Sequence, residues 1–376
     1  MKTLALIAIL IVALLFTLPL QAQAPLSSQV IGYVFSRGLA IAPEEIAAKK
    51  LTRIHYAFID TQNGALRTPT AIDAQNLATL AGLKQVNPAL TIVASIGGWS
   101  RSEDFSDIAL TAESRAKFAA SCVRLVEQYQ LDGVDIDWEY PAFPRASGRF
   151  RAEDKQNYTL LLRDLRTAFN AASKQLHRRL YTSTATNGNA FFIDHTELRE
   201  VAKYVDVIAL MGYDYYGGGD KTTGNHSPLF TDPADPKKLS DDKSVRDYIA
   251  AGVPPEKIVL GVPFYGHGWT DVPQQNRGLF QPVPPGKVFD ILYIDIAKKS
   301  LAPGSGFTRF WDEAAAVPYL YNPASQTFIT YDDAQSLALK CEYVRKQHLG
   351  GIMFWAYNGD LDNVLLNAIN AGLHPR

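Results

Sequence analysis

The sequence has few of the residues that staple small folds or hold metals. Only two cysteines, Cys122 and Cys341, occur in 376 residues. Two cysteines far apart in a large chain make no disulfide framework. Both sit in helical patterns, where a free thiol serves as a small buried apolar group. The seven histidines are scattered. No His/Cys cluster has metal-ligand spacing, so neither a metal nor any other cofactor is expected. Net charge is almost absent as well: 37 Lys and Arg face 38 Asp and Glu. That balance argues against nucleic acid or an anionic membrane as the partner. The glycine run Gly217-Gly218-Gly219 lacks the order and context of a nucleotide-binding turn, and no P-loop lysine follows it. It reads as a flexible loop.

Long apolar runs are missing too, except at the N-terminus. Leu4 to Leu18 is apolar apart from Thr17, which is shorter than the ~20 residues a spanning helix needs. Lys2 precedes the run and Ala22-Gln23-Ala24 offers a small-x-small cleavage site. Residues 1–24 therefore read as a signal peptide, leaving a mature chain from near Pro25. An uncleaved anchor is the alternative. Cleavage implies export, to the exterior or to the periplasm of a Gram-negative cell, with no membrane contact afterwards. No cysteine follows the apolar run, so a lipoprotein is not expected. Two sequons, Asn157-Tyr158-Thr159 and Asn225-His226-Ser227, matter only in a eukaryotic source.

Apolar and aromatic residues are abundant, at 47% of the chain, with 18 Tyr, 18 Phe and 5 Trp. A large core can be buried, and flat aromatic faces suit sugar rings. The stretch that organises the rest is Leu131-Asp132-Gly133-Val134-Asp135-Ile136-Asp137-Trp138-Glu139-Tyr140-Pro141. On a strand, side chains alternate between two faces. Asp135, Asp137 and Glu139 then share one face, and Val134, Ile136 and Trp138 the other, with Pro141 ending the strand. Same-face neighbours lie roughly 7 Å apart, and crowded carboxylates away from water cannot all ionise at ordinary pKa values. Inward barrel positions ordinarily take branched apolar residues. The plain reading is a solvated edge strand, but the flanking aromatics speak against it. The other is an acid/base site in which crowding keeps one carboxyl protonated. Asp132 has the opposite parity and reads as structural.

Short apolar strands alternate with amphipathic segments along the whole chain. Strands are expected at Val30–Phe35, Leu51–Ile59, Leu90–Ile96, the acidic stretch, Leu180–Thr186, Val205–Gly212, Ile258–Phe264 and Gly350–Trp355. Helices are expected at Ala71–Gln85, Thr111–Gln128, Arg151–Leu176, Ser240–Ala251, Asp332–Gln347 and Leu361–Ala371, with Asp194 capping a further short one. The alternation predicts an α/β fold, a (β/α)8 TIM barrel, rather than a doubly wound open sheet. The 65 or so residues between strand seven and its helix far exceed the 2–6 typical of such loops. Strand-like pieces at Gly278–Pro282, Leu292–Ile296, Phe307–Asp312, Val317–Tyr321 and Thr327–Thr330 make residues 266–331 a small α+β insertion within a catalytic domain spanning 25–376.

Asp132-Gly-x-Asp135-x-Asp137-Trp138-Glu139-Tyr140-Pro141 resembles, without departure, the signature of the family 18 glycoside hydrolases, the chitinases. Ser95-Ile96-Gly97-Gly98-Trp99 resembles the family's second signature, Met211-Gly212-Tyr213-Asp214 its strand six, and Trp311-Asp312-Glu313 with Val317–Tyr321 its insertion. The likeness covers nearly the whole mature chain. It implies a secreted, monomeric chitinase acting on chitin or chitooligosaccharides by a substrate-assisted, retaining mechanism. It implies Glu139 as acid and base, Asp137 as the partner of the acetamido N–H, Asp135 as sharer of a proton with Asp137, and Tyr213 as the group orienting the acetamido carbonyl. It implies sugar contacts from Gly97, Gly98, Trp99, Tyr140, Met211, Asp214 and Trp355. Tyr33, Phe58 and Tyr265 stand at comparable strand ends and are candidate sugar contacts too, although an aromatic there is more often core. His267 reads as a local packing or hydrogen-bonding group with no catalytic role. The alternatives are an endo-β-N-acetylglucosaminidase acting on glycoproteins, a non-catalytic lectin of the same fold, and a cell-wall structural protein. The presence of Glu139 counts against the lectin, and an acidic barrel interior against the structural protein.

Overall fold

A computed structural model describes residues 28–144 and 149–375. The signal peptide expected at 1–24 lies outside them. Eight parallel strands close into a barrel: β1 (Gln29–Phe35), β2 (Arg53–Ile59), β3 (Thr91–Gly97), β4 (Gly133–Asp137), β5 (Tyr181–Asn187), β6 (Val207–Met211), β7 (Ile258–Pro263) and β8 (Gly351–Trp355). Each pairs with its sequence neighbours, and β8 closes on β1. The expected strand order and positions hold, with ends shifted by a residue or two. The largest difference is in β4, which ends at Asp137. Glu139 therefore sits just past the strand, on the turn leading to Pro141.

Two apolar layers follow from the alternation. Val134, Ile136 and Trp138 are buried outside the barrel against its helices. The helix Ala112–Gln128 turns Phe118, Cys122, Leu125 and Val126 inward, and Asp154–Gln175 contributes Tyr158, Leu161, Leu162, Leu165 and Phe169. Trp138 stacks on Phe105 with ring centroids 5.5 Å apart. Each such large side chain contributes about 1.5–3 kcal/mol on burial. Thr111 and Ser114 form a reciprocal cap at the start of Ala112–Gln128, which satisfies orphan N–H groups there. Inside the barrel a second cluster gathers Ile31, Tyr33, Ala57, Val259 and Met353.

Between β7 and the helix Ala334–Lys346 runs an antiparallel five-stranded sheet. Its order is Val288–Leu292, Tyr265–Trp269, Thr327–Thr330, Val317–Asn322, Thr308–Asp312. The last three strands fall where expected. Gly278–Pro282 is not a strand: a 3-10 turn occupies Gln275–Gly278, and Pro282 makes one isolated bridge to Thr222. Leu292–Ile296 is also displaced, because the strand ends at Leu292 and the chain then coils helically. Tyr265–Trp269 hid behind Gly266 and Gly268, poor strand formers by propensity. Those glycines are there for space, since a Cβ at Gly268 would meet the Phe289 ring at 2.2 Å.

Asp194 ends the helix Ala190–Asp194 instead of capping the next one, and Asn189 caps the former through the Phe192 N–H. Both cysteines are buried free thiols. Asn157 and Asn225 of the sequons are buried as well. Among the described residues no helix is long and apolar enough to cross a membrane.

Candidate active site

The acidic face of β4 points into the barrel. Asp135 is wholly buried and Asp137 nearly so. In register, Asp135 lies opposite Ser95 of β3 and Ser183 of β5. Both hydroxyls donate to it, Ser95 Oγ to Oδ2 at 2.8 Å and Ser183 Oγ to Oδ1 at 2.7 Å. Tyr33 donates from β1 at 2.9 Å. The His55 ring stands 3.6 Å away. Burial alone would raise the Asp135 pKa, but the His55 imidazole and these hydroxyls outweigh it and hold it below the usual carboxylate range. Three donors to one carboxylate favour its charged form. Burial keeps His55 below its ordinary value, so we assign the negative charge of this pair to Asp135 on its hydrogen bonds.

Asp137 is the opposite case. Its Oδ1 is buried with no hydrogen-bond partner. Burial, then the charges of Glu139 and Asp135, push its pKa well above the usual range. One strand thus carries a carboxyl held low at its base and one pushed up above it, with Glu139 at the rim. These titrations belong to the group and not to single residues.

Asp137 and Glu139 open into a cleft of about 770 Å³ at the C-terminal end of the barrel, the end where such barrels place their chemistry. Its floor is aromatic. Trp355 stacks on Phe58 with centroids 5.4 Å apart and packs near Tyr33 and Phe35 at 5.7 and 5.5 Å. Trp99 is 59% exposed at the lip, 6.4 Å from Tyr140. Met211, Tyr213, Asp214 and Tyr265 line the opposite wall, joined by His267, Phe289 and Asp290 of the second sheet. Burial and then the Asp214 charge push Tyr213 well above its ordinary pKa, so it remains a neutral donor. The peptide bonds Ala57–Phe58, Glu139–Tyr140 and Trp355–Ala356 beside the cleft are cis.

The expected site residues largely converge here, with two differences of place. Asp135 lies beneath the cleft, and so do Gly97 and Gly98. Gly97 has φ +113, and a Cβ there would meet the Asp137 carbonyl oxygen at 2.1 Å. The Gly98 N–H donates to that oxygen at 2.7 Å, and a Gly98 Cβ would meet the Phe58 ring at 2.7 Å. These glycines let neighbouring segments touch beneath Asp137. Asp132 holds the strand's entrance, accepting from Ile92 N at 2.7 Å and pairing with Lys84 at 2.6 Å.

Sequence reasoning missed Ser95 and Ser183 as ligands of Asp135, His55 beside it, and Asn187, which donates to the Tyr140 hydroxyl at 3.0 Å. It also missed Ser102, whose Oγ accepts the Glu139 N–H at 2.9 Å. Strand parity puts both serines at inward positions, but only the register between strands sets them beside Asp135. Asp214, His226 and His267 bring ligating atoms within 4.8 Å of one another, but those atoms already have hydrogen-bond roles. Asp214 Oδ1 accepts from His267 Nε2 at 2.8 Å, and His226 Nδ1 accepts from the Asp214 N–H at 3.2 Å. A second hollow of about 740 Å³ lies beside β5, lined by Arg166, Arg178 and Arg179. Its arginines are tied to Asp206, Asp132 and backbone carbonyls.

A closed parallel barrel with graded carboxylates at one strand end and an aromatic cleft above them defines a class: an acid–base barrel of the glycosidase kind. A family model described as glycosyl hydrolases family 18 matches residues 29–360. Chitinase A1 of Niallia circulans is 39% identical over 316 residues, which are 80% of this chain and 45% of that protein. Chitinase B of Serratia marcescens is 31% identical over 395 residues, 86% of this chain and 77% of that one. A solved family 18 N-acetylglucosaminidase from Paenibacillus barengoltzii aligns at TM-score 0.85 and 42% identity, covering 92% of this chain and 99% of that one. The chain belongs to glycosyl hydrolase family 18. It spans less than half the length of Chitinase A1.

Proposed function

We propose that the protein is a secreted chitinase that cleaves β-1,4 links between N-acetylglucosamine units with retention of configuration. The observation that carries this is Asp137: a buried carboxyl with an unpaired oxygen, its pKa pushed up by burial and by its place between Asp135 and Glu139. Its unpaired oxygen accepts the substrate's acetamido N–H as charge develops nearby. Glu139, at the rim of the cleft, protonates the leaving oxygen and then activates water. The carboxylates rise from one strand and leave no obvious nucleophile on the opposite face, and the family likeness implies that the substrate's own acetamido oxygen attacks the anomeric carbon. Tyr213, a neutral donor, orients that acetamido carbonyl. Trp355 offers its face to the reacting sugar, and Phe58, Trp99 and Tyr140 stack further rings or their edges. The insertion 266–331 acts as one cleft wall through its strands Tyr265–Trp269 and Val288–Leu292. The N-terminal apolar run supports export, and the wall favours a linear polymer over a glycoprotein glycan.

The likeness to the Paenibacillus N-acetylglucosaminidase, 42% identical, favours a second reading: removal of single N-acetylglucosamine units from a chain end. A time course on a hexamer of N-acetylglucosamine, with anomer analysis, decides. Mixed dimers, trimers and tetramers in β form first support the endo-acting retaining chitinase. Monomer with pentamer from the first minutes supports the exo reading, and α-anomeric product would overturn the mechanism. For Asp137→Asn, kcat is expected to fall by about 10²-fold, the low end for acid–base groups, with KM little changed. A pure KM effect would leave Asp137 a binding residue only.

A further inference from the structure

His267, on the strand Tyr265–Trp269, lies directly opposite Asp290 of the neighbouring antiparallel strand. Cross-strand partners on one face are within easy contact, and His267 Nδ1 is 2.8 Å from Asp290 Oδ1. The other ring nitrogen, Nε2, is 2.8 Å from Asp214 Oδ1. Asp214 follows β6 in a left-handed conformation, with φ +60. A neutral imidazole has one N–H and one lone pair. Between two carboxylates it would aim that lone pair at a negative oxygen, so both nitrogens must carry protons.

The surroundings agree. His226 packs 4.4 Å from the His267 ring, centroid to centroid. Burial, and next the His267 charge, hold His226 well below its ordinary pKa, so it is neutral. Tyr265 gives its hydroxyl to Asp214 Oδ1 at 2.5 Å, and Trp269 is apolar. Burial would lower the His267 pKa, but hydrogen bonds to Asp214 and Asp290 outweigh it and raise the group to about 9. Hydrogen bonds from Tyr265 and His267 both engage Oδ1 of Asp214, and its side chain is 53% exposed. That leaves Oδ2 for a ligand.

We propose that His267 is a positioning residue: as an imidazolium clamped between Asp214 and Asp290, it fixes Asp214 as an acceptor for a sugar hydroxyl or amide N–H and fastens the second sheet to the cleft. The proposal rests on the sugar-polymer reading of the cleft. The clamp's charge is full well below pH 9 and is lost as pH rises through about 9, when Asp214 is freed and substrate binding weakens.

The test has one arm without substrate. Titrating the ring nitrogens of the whole protein by NMR should place the His267 transition near pH 9, and Asp290→Asn should move it down by about one unit or more. A transition at the ordinary histidine value overturns the clamp, whatever the enzyme hydrolyses. The kinetic arm uses chitooligosaccharides. His267→Gln should raise KM about tenfold, the scale of one charge-assisted hydrogen bond, with kcat changed far less. His267→Arg keeps a cation at every pH, so it should hold KM low and abolish the alkaline rise in KM expected of the parent. Parallel KM profiles for parent, Gln and Arg forms would overturn the positioning role. A ring titrating near 9 in a protein that binds no chitooligosaccharide would instead sink the sugar reading and the Asp214 half of this proposal.

Discussion

Two buried acidic clusters in this molecule solve the same problem in opposite ways. Beside the second sheet, Asp332 and Asp241 share one wholly buried cation. Lys340 Nζ is 2.7 Å from Asp332 Oδ2 and 3.2 Å from Asp241 Oδ2, and it also donates to the Ser227 carbonyl at 2.7 Å. Burial opposes the Lys340 charge, but Asp241 and Asp332 outweigh it and raise its pKa. Asp241, the farther partner, is pushed up to about 7 by its own burial. In the barrel, Asp135 and Asp137 have no Lys or Arg ion pair among the described residues. The His55 ring and the hydroxyls hold Asp135 low, while Asp137 is pushed up. A fixed cation neutralises the first cluster. In the second, the environments drive the two pKa values apart, the pattern that suits acid–base chemistry.

The largest expected break in this comparison is Glu139→Gln. Hydrolysis should fall by about 10³-fold, within the range for removing a general acid–base group. Circular dichroism and chitooligosaccharide binding should be retained, and near-parent turnover would remove Glu139 from the chemistry. Lys340→Met is the converse experiment. It strands buried carboxylates and should cost about 3–5 kcal/mol in urea unfolding, while leaving the barrel's carboxylates untouched. A stability loss below about 1 kcal/mol would mean that Asp332 and Asp241 are neutral without it. Ser183→Ala is the smallest and the most diagnostic. Removing one donor from Asp135 should raise that group's pKa, draw the shared proton downward and lower kcat by several-fold to about tenfold, the scale of one hydrogen bond to a charge. An unchanged pH–kcat profile would mean that Asp135 does not set the state of Asp137.

The legible part of the site was the part that alternation dictates. Asp135, Asp137 and Glu139 lie at every second position, so their common face was readable. So was the apolar face that Val134, Ile136 and Trp138 turn to the helices. Most of the eight strands were readable because parallel barrel strands tend to be short apolar runs. Glycine-bearing Tyr265–Trp269 was not, because its strand character comes from neighbours that need the space, not from its own residues. The serines on Asp135 were visible as residues but not as ligands, since only register decides which strand positions face each other. His267 looked like a local packing group for the same reason. Its two carboxylates are 53 residues before it and 23 after it.

The sequence by itself determined the periodicity, and with it the barrel, the two faces of β4 and the crowding of acids on one of them, because those depend on spacing along a single chain. Only the tertiary structure decided where each proton rests. That depends on which hydroxyls, rings and cations distant segments bring within 3 Å of a buried carboxylate, and on how little water is left between them.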